Sequence, residues 1–100
     1  YQKALVIGLK SAGFIVDEEV KVPILFNNEK IATGYADLVV NGKVLIELKR
    51  NGSFNRSQIL QLENYLTACN CPLGLLINFG YDSVKVKRVI NRSFFNALKS

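Results

Sequence analysis

Asp37, Glu47 and Lys49 stand inside two short apolar runs, Ala36-Asp37-Leu38-Val39-Val40 and Lys43-Val44-Leu45-Ile46-Glu47-Leu48-Lys49, joined by Asn41-Gly42. A carboxylate buried in an apolar strand without a partner costs several kcal/mol. Three ionisable groups on one hairpin therefore call for a chemical reason. One reason is a hard divalent cation, Mg²⁺ or Mn²⁺, held by the carboxylates of Asp37 and Glu47 and the backbone carbonyl of Leu48, with the Lys49 ammonium beside it. Such a centre activates a water and stabilises charge growing on a phosphoryl group. The plainer reading is a cross-strand ion pair between Lys49 and Glu47, with Asp37 capping a turn or facing water.

Hairpin register decides whether these groups can meet. A plain two-residue Asn41-Gly42 turn pairs Val40 with Lys43 and puts Asp37 and Glu47 on opposite faces, because strand side chains alternate. A three-residue connection, with Gly42 left-handed in a bulge, shifts the parity by one. Ala36, Leu38, Val40, Val44, Ile46 and Leu48 then share one apolar face, and Asp37, Val39, Leu45, Glu47 and Lys49 share the other. Each misplaced aliphatic would forfeit about 1.5–3 kcal/mol of burial. Patterning thus predicts the odd-length loop, with the two acids as diagonal neighbours on one face.

The elements around the hairpin follow from periodicity. Residues 1–12 read as a helix stopped by Gly13, residues 14–26 as a strand edged at Pro23, and Asn27-Asn28 as a turn into a strand over 31–40. The third strand covers 43–49. A helix over 55–68 carries Ile59, Leu62, Leu66 and Cys69 on one stripe, with Gln58 and Tyr65 within it and Gln61 beside it. The run 72–79 is nearly all apolar, as a strand covered on both faces would be. Val84 and Val86 alternate with lysines like an edge strand, and Phe94, Phe95 and Leu98 predict a closing helix. The order is α-β-β-β-α-β-β, one α/β domain with a mixed sheet spanning residues 1–100. The chain opens inside a helix whose start is expected to lie upstream.

Composition narrows the chemistry. There is no histidine, which removes Ser-His and Cys-His catalysis and the commonest general base. Cys69 and Cys71 cannot complete a four-ligand zinc site and read as small buried residues of a reduced, cytoplasmic protein. No apolar run is long enough to span a bilayer, so no membrane role is expected. A net charge of +5 suits a polyanionic partner as well as an ordinary solvated surface. Lys10, Arg50, Arg56 and Lys87 are the candidate backbone-phosphate contacts, Arg50 first because it follows Lys49 directly.

Four blocks, Ala36–Val40, Val44–Lys49, Gln61-Leu62-Glu63-Asn64-Tyr65-Leu66 and Gly74-Leu75-Leu76-Ile77-Asn78-Phe79-Gly80, resemble successive motifs of the GxxExxY proteins, a branch of the PD-(D/E)XK nuclease superfamily. The resemblance runs from Tyr1 through Arg88-Val89-Ile90. It implies a restriction-endonuclease-like αβββαβ core and a metal-dependent phosphodiester hydrolase acting on DNA or, less readily, RNA. By the same resemblance Asp37, Glu47 and Lys49 match the catalytic triad, and Gln61 matches a glutamine that supports the site. Tyr1 matches the tyrosine ending the GxxExxY signature, whose glutamate lies upstream of this chain. Tyr35 stands where relatives often carry arginine, and Gln58 where they often carry histidine. The fold also admits a catalytically inactive nucleic-acid-binding module, a protein-interaction domain, and a homodimer.

Overall fold

The computed structural model describes residues 1–50 and 52–99. The chain runs α1 (Gln2–Ser11), β1 (Val16–Phe26), β2 (Glu29–Val40), β3 (Val44–Arg50), α2 (Arg56–Cys69), β4 (Leu73–Phe79), β5 (Val84–Ile90) and α3 (Arg92–Leu98). The strands form one five-stranded sheet in the order β1-β2-β3-β4-β5. Only the β3–β4 pair is parallel, and α2 is its crossover. The element order and mixed sheet are those the periodicity predicts. No helix among the described residues is long and apolar enough to cross a membrane.

Two apolar clusters sandwich the sheet. On one face Val6 of α1 packs with Leu38, Val40, Ile46 and Ile77; on the other Leu62, Tyr65 and Leu66 of α2 pack with Val22, Val39, Leu45, Leu76 and Val89. The central strands β3 and β4 are covered on both faces, which explains why their sequences are almost continuously aliphatic. The helical stripe expected on α2 is the face it buries.

Local signals fix the ends of α2. Asn55 accepts from the Gln58 N–H at 2.9 Å while the Gln58 side chain accepts from the Asn55 N–H at 3.1 Å, a reciprocal capping box. Asn70 closes the helix in the left-handed region, φ 54°. Gln58, expected on the sheet-facing stripe, thus serves the helix start. Asn91 joins three elements. Its Nδ2 donates to the carbonyls of Leu66 and Cys71 at 3.1 and 2.9 Å, and its Oδ1 accepts from the Phe94 N–H.

The hairpin between β2 and β3 has the odd-length connection that burial requires. Val40 pairs with Val44, Val39 with Leu45 and Leu38 with Ile46, leaving Asn41, Gly42 and Lys43 as the loop. Asn41 and Gly42 are both left-handed (φ 52° and 64°), and the Lys43 N–H donates to the Val40 carbonyl at 3.0 Å, so Lys43 is the extra residue.

One part of the predicted sorting is corrected. Leu38 and Val40 face α1 as expected, but Ala36 packs with Val22 and Val39 against α2. The strand turns its faces over at Asp37. Its neighbour β1 does the same directly opposite: Glu18 pairs with Leu38 and Val20 with Ala36, and Glu19 between them has φ 49°. Strict alternation fails in β1 because left-handed Glu19 interrupts its pleat, and β2 breaks step beside it at Asp37.

Candidate metal centre and its surroundings

Regular pairing between β2 and β3 stops at Leu38–Ile46. Continuing that register by one residue sets Asp37 directly across from Glu47, closer than the diagonal relation expected. Side chains take over the bonding at this point. The Leu48 N–H donates to Asp37 Oδ2 at 2.7 Å, and the Asp37 N–H donates to Glu47 Oε1 at 3.3 Å. In an unbroken ladder the Leu48 N–H would seek a main-chain carbonyl of β2; the Asp37 carboxylate has taken that place. The Leu48 carbonyl leaves β3 on the same side as its N–H, and so faces the same gap.

Burial and repulsion raise the energy of the ionised pair. Glu47 is 7% exposed. Its removal from water and the nearby charge of Asp37 push its carboxyl up to about 7, against the smaller opposing effects of the Asp37 backbone hydrogen bond and the Lys49 ammonium. Among the described residues Lys49 makes no ion pair with Glu47, and its ammonium acts on that carboxyl as the smallest of the effects just named. Lys49 is half-buried and lies in register with Asn78 on β4.

The donor chemistry fits a hard divalent cation. Two carboxylates each keep an oxygen outside the hydrogen bonds just described, and an adjacent main-chain carbonyl faces them. Among the described residues no cluster of three or more His, Cys, Asp or Glu side chains forms. The remaining positions of a six-coordinate ion would therefore fall to main-chain oxygen and water.

The other expected residues are distributed unevenly. Gln61 is exposed on α2 and donates to the Tyr65 hydroxyl at 3.0 Å, with no hydrogen bond to Asp37 or Glu47. That hydroxyl is pressed against the backbone of Gly34 on β2, where an added Cβ would also lie 2.8 Å from Tyr65 Cζ. Gln61 thus reaches the strand of Asp37 through Tyr65. Arg50 ends β3, with its guanidinium carbon 6.0 Å from the Tyr1 ring centroid. Arg56 opens α2. Lys87 is an exposed residue of the edge strand β5, paired with Leu76. Lys10 sits in the last turn of α1, near the Asn41 end of the hairpin and away from the carboxylates: the chain after α1 returns through Ile15, whose carbonyl accepts from the Asn41 N–H at 2.7 Å.

Sequence reasoning gave Asn78 no role. It is 3% exposed, its Nδ2 donates to the Gly52 carbonyl at 2.6 Å, and its buried Oδ1 has no hydrogen-bond partner among the described residues. Asn78 ties Gly52 to β4. An amide inside an otherwise apolar central strand was the available signal, since buried polar groups are kept only where they bond.

The comparisons agree with this architecture. A family model described as the PD-(D/E)XK nuclease superfamily matches residues 1–91. No curated protein matches the sequence. Among solved structures, the crystal structure of SSO0001 resembles the chain with a TM-score of 0.68 at 20% identity, covering 98% of this chain and 54% of that one. The alkaline exonuclease LHK-Exo from Laribacter hongkongensis gives a TM-score of 0.65 at 14% identity, covering 96% and 57%. The chain spans little more than half the length of either, and at these identities the likeness is one of fold. The family match over nearly the whole sequence, on a sheet that brings Asp37 and Glu47 together beside Lys49, places this chain in the PD-(D/E)XK nuclease superfamily.

Proposed function

We propose that the chain is a metal-dependent phosphodiester hydrolase acting on nucleic acid, DNA before RNA, and that it belongs to the GxxExxY branch of its superfamily. The observation that carries this reading is the bonded pair Asp37–Glu47 at the point where β2 turns over. The fold holds two carboxylates together there, one of them buried and raised to about 7, with the Lys49 ammonium offsetting only a small part of that rise.

In this reading Asp37, Glu47 and the Leu48 carbonyl hold Mg²⁺ or Mn²⁺. The bound ion supplies Lewis-acid polarisation of the phosphoryl group and a water of lowered pKa. Lys49, without an ion pair among the described residues, directs its ammonium at charge developing on a non-bridging oxygen. Gln61 and Tyr65 act as one unit from α2, with Gln61 available to orient a water or a phosphate oxygen. Arg50 and Arg56 offer phosphate contacts that add affinity without reading sequence.

The deciding experiment is a nuclease assay with Mg²⁺ or Mn²⁺ on plasmid and oligonucleotide DNA, comparing the protein with Glu47→Ala and Lys49→Ala. Each substitution is expected to lower cleavage at least about 100-fold while the protein stays folded. Cleavage that survives both in folded protein removes the proposed centre. DNA binding without cleavage in the unsubstituted protein would assign the inactive-module reading instead.

A further inference from the structure

Beyond the acidic pair, the C-terminal ends of β3 and β4 open into three cavities of about 310, 370 and 320 Å³. The first contains Lys49 and shares Tyr1, Arg50 and Phe79 with the second; the second shares Gly80 and Tyr81 with the third, which ends at Lys85. Shared walls make them one groove that starts at Lys49 and passes along the end of the sheet.

Its lining alternates cations with aromatic rings. The Tyr1 and Phe79 rings stack with centroids 4.4 Å apart and planes 6° from parallel, and the Arg50 guanidinium lies over Tyr1. That contact restrains a long side chain next to Lys49. Tyr81 is 99% exposed, so both faces of its ring are open. The lining carries three cations, Lys49, Arg50 and Lys85, against one acid, Asp82. Asn78 fastens Gly52 to the floor.

A continuous duplex offers this surface phosphates only, because its base faces are stacked on one another. An unpaired strand offers phosphates and free base faces together, and cation-lined grooves with stacking platforms take that form of nucleic acid. We propose that the groove binds an unpaired nucleic-acid strand, with a base stacked on Tyr81 and phosphates at Arg50 and Lys85, and leads it to Lys49. This deepens the nuclease reading by naming the substrate form, a single strand or frayed end, but strand binding stands without cleavage.

The test is fluorescence anisotropy in EDTA, which prevents metal-dependent cleavage, with labelled oligo(dT), oligo(U) and a blunt, G·C-rich duplex of equal phosphate count. At least one single strand is expected to bind more tightly than the duplex. Tyr81→Ala, a substitution of a fully exposed side chain, is expected to weaken the tighter strand by roughly 5- to 100-fold and leave the duplex unchanged. Arg50→Ala should weaken it too and reduce the salt dependence by about one counterion. Equal binding of strand and duplex, or single-strand affinity indifferent to Tyr81→Ala, overturns the proposal. Strand binding lost in Tyr81→Ala by a protein that never cleaves supports the groove and removes the nuclease reading. Cleavage of intact duplex unchanged by Tyr81→Ala does the reverse.

Discussion

The backbone N–H of Asp37 donates to the carboxylate of Glu47 at 3.3 Å across two strands whose regular pairing has just ended. The ladder is exchanged for side-chain bonds at the one place where β2 turns over and β1 carries a left-handed glutamate. Two acids that water would separate are thereby held against one another by main chain. The arrangement is unfavourable for ionised acids alone and favourable once a cation joins them, so stability and metal binding should both respond to the charge on Glu47.

Stability without metal should fall as pH rises. The folded protein keeps a proton on Glu47 up to about 7, whereas an unfolded chain releases it near the ordinary value of 4.5. The folded state therefore binds more protons between those values, and the stabilisation is complete below the lower one and lost as pH passes through the upper. The loss is on the order of 2 kcal/mol, or roughly 10 °C in melting temperature for a domain this size. Thermal melts in EDTA at pH 5 and pH 8 check it. Glu47→Gln, neutral throughout, should flatten the pH response and melt higher than the unsubstituted protein at pH 8.

Added Mg²⁺ or Mn²⁺ should restore what alkaline pH removes. Ligands must be deprotonated to bind a cation, so affinity should climb as pH passes through about 7. The expected result is a rise in melting temperature at pH 8 with millimolar Mg²⁺ and a much smaller rise at pH 6. Asp37→Ala should abolish the increment at both pH values while leaving a folded protein. An increment of equal size in Asp37→Ala would place the ion elsewhere.

Much of this was legible in the sequence because burial forces it. Hydrophobic sorting of Val40, Val44, Leu38 and Ile46 demands an odd-length loop at Asn41-Gly42, and that loop brings Asp37 opposite Glu47. Ala36 was misplaced because alternation assumes an even pleat, and nothing in its apolar side chain tells which face it takes after a turn-over at Asp37. Gln58 had a readable signal, an Asn three residues earlier, but its position on the helical stripe pointed to the sheet. Tyr81 was out of reach for a different reason: its meaning lies in which cavity it lines, and no periodicity encodes that.

Lys49 separates charge from shape at the site. Lys49→Arg keeps a cation but replaces a compact ammonium with a broad guanidinium that cannot occupy the same half-buried position. Cleavage should drop at least about tenfold in Lys49→Arg and further in Lys49→Ala, with divalent-ion stabilisation retained in both. Single-turnover rates measured beside thermal shifts distinguish this from loss of metal. Retained rates in Lys49→Ala would remove its assigned role.

The Gly34–Tyr65 contact should behave as a steric lock between β2 and α2. A Cβ at position 34 would overlap the Tyr65 hydroxyl and crowd its ring, so Gly34→Ala should cost roughly 1–3 kcal/mol. Tyr65→Phe removes the oxygen but leaves the ring, and in combination with Gly34→Ala should recover part of that loss. The coupling is read from a double-mutant cycle in denaturant. Additive effects would mean that the strand moves aside freely, and that Tyr65, with the Gln61 bonded to it, does not fix the position of the strand carrying Asp37.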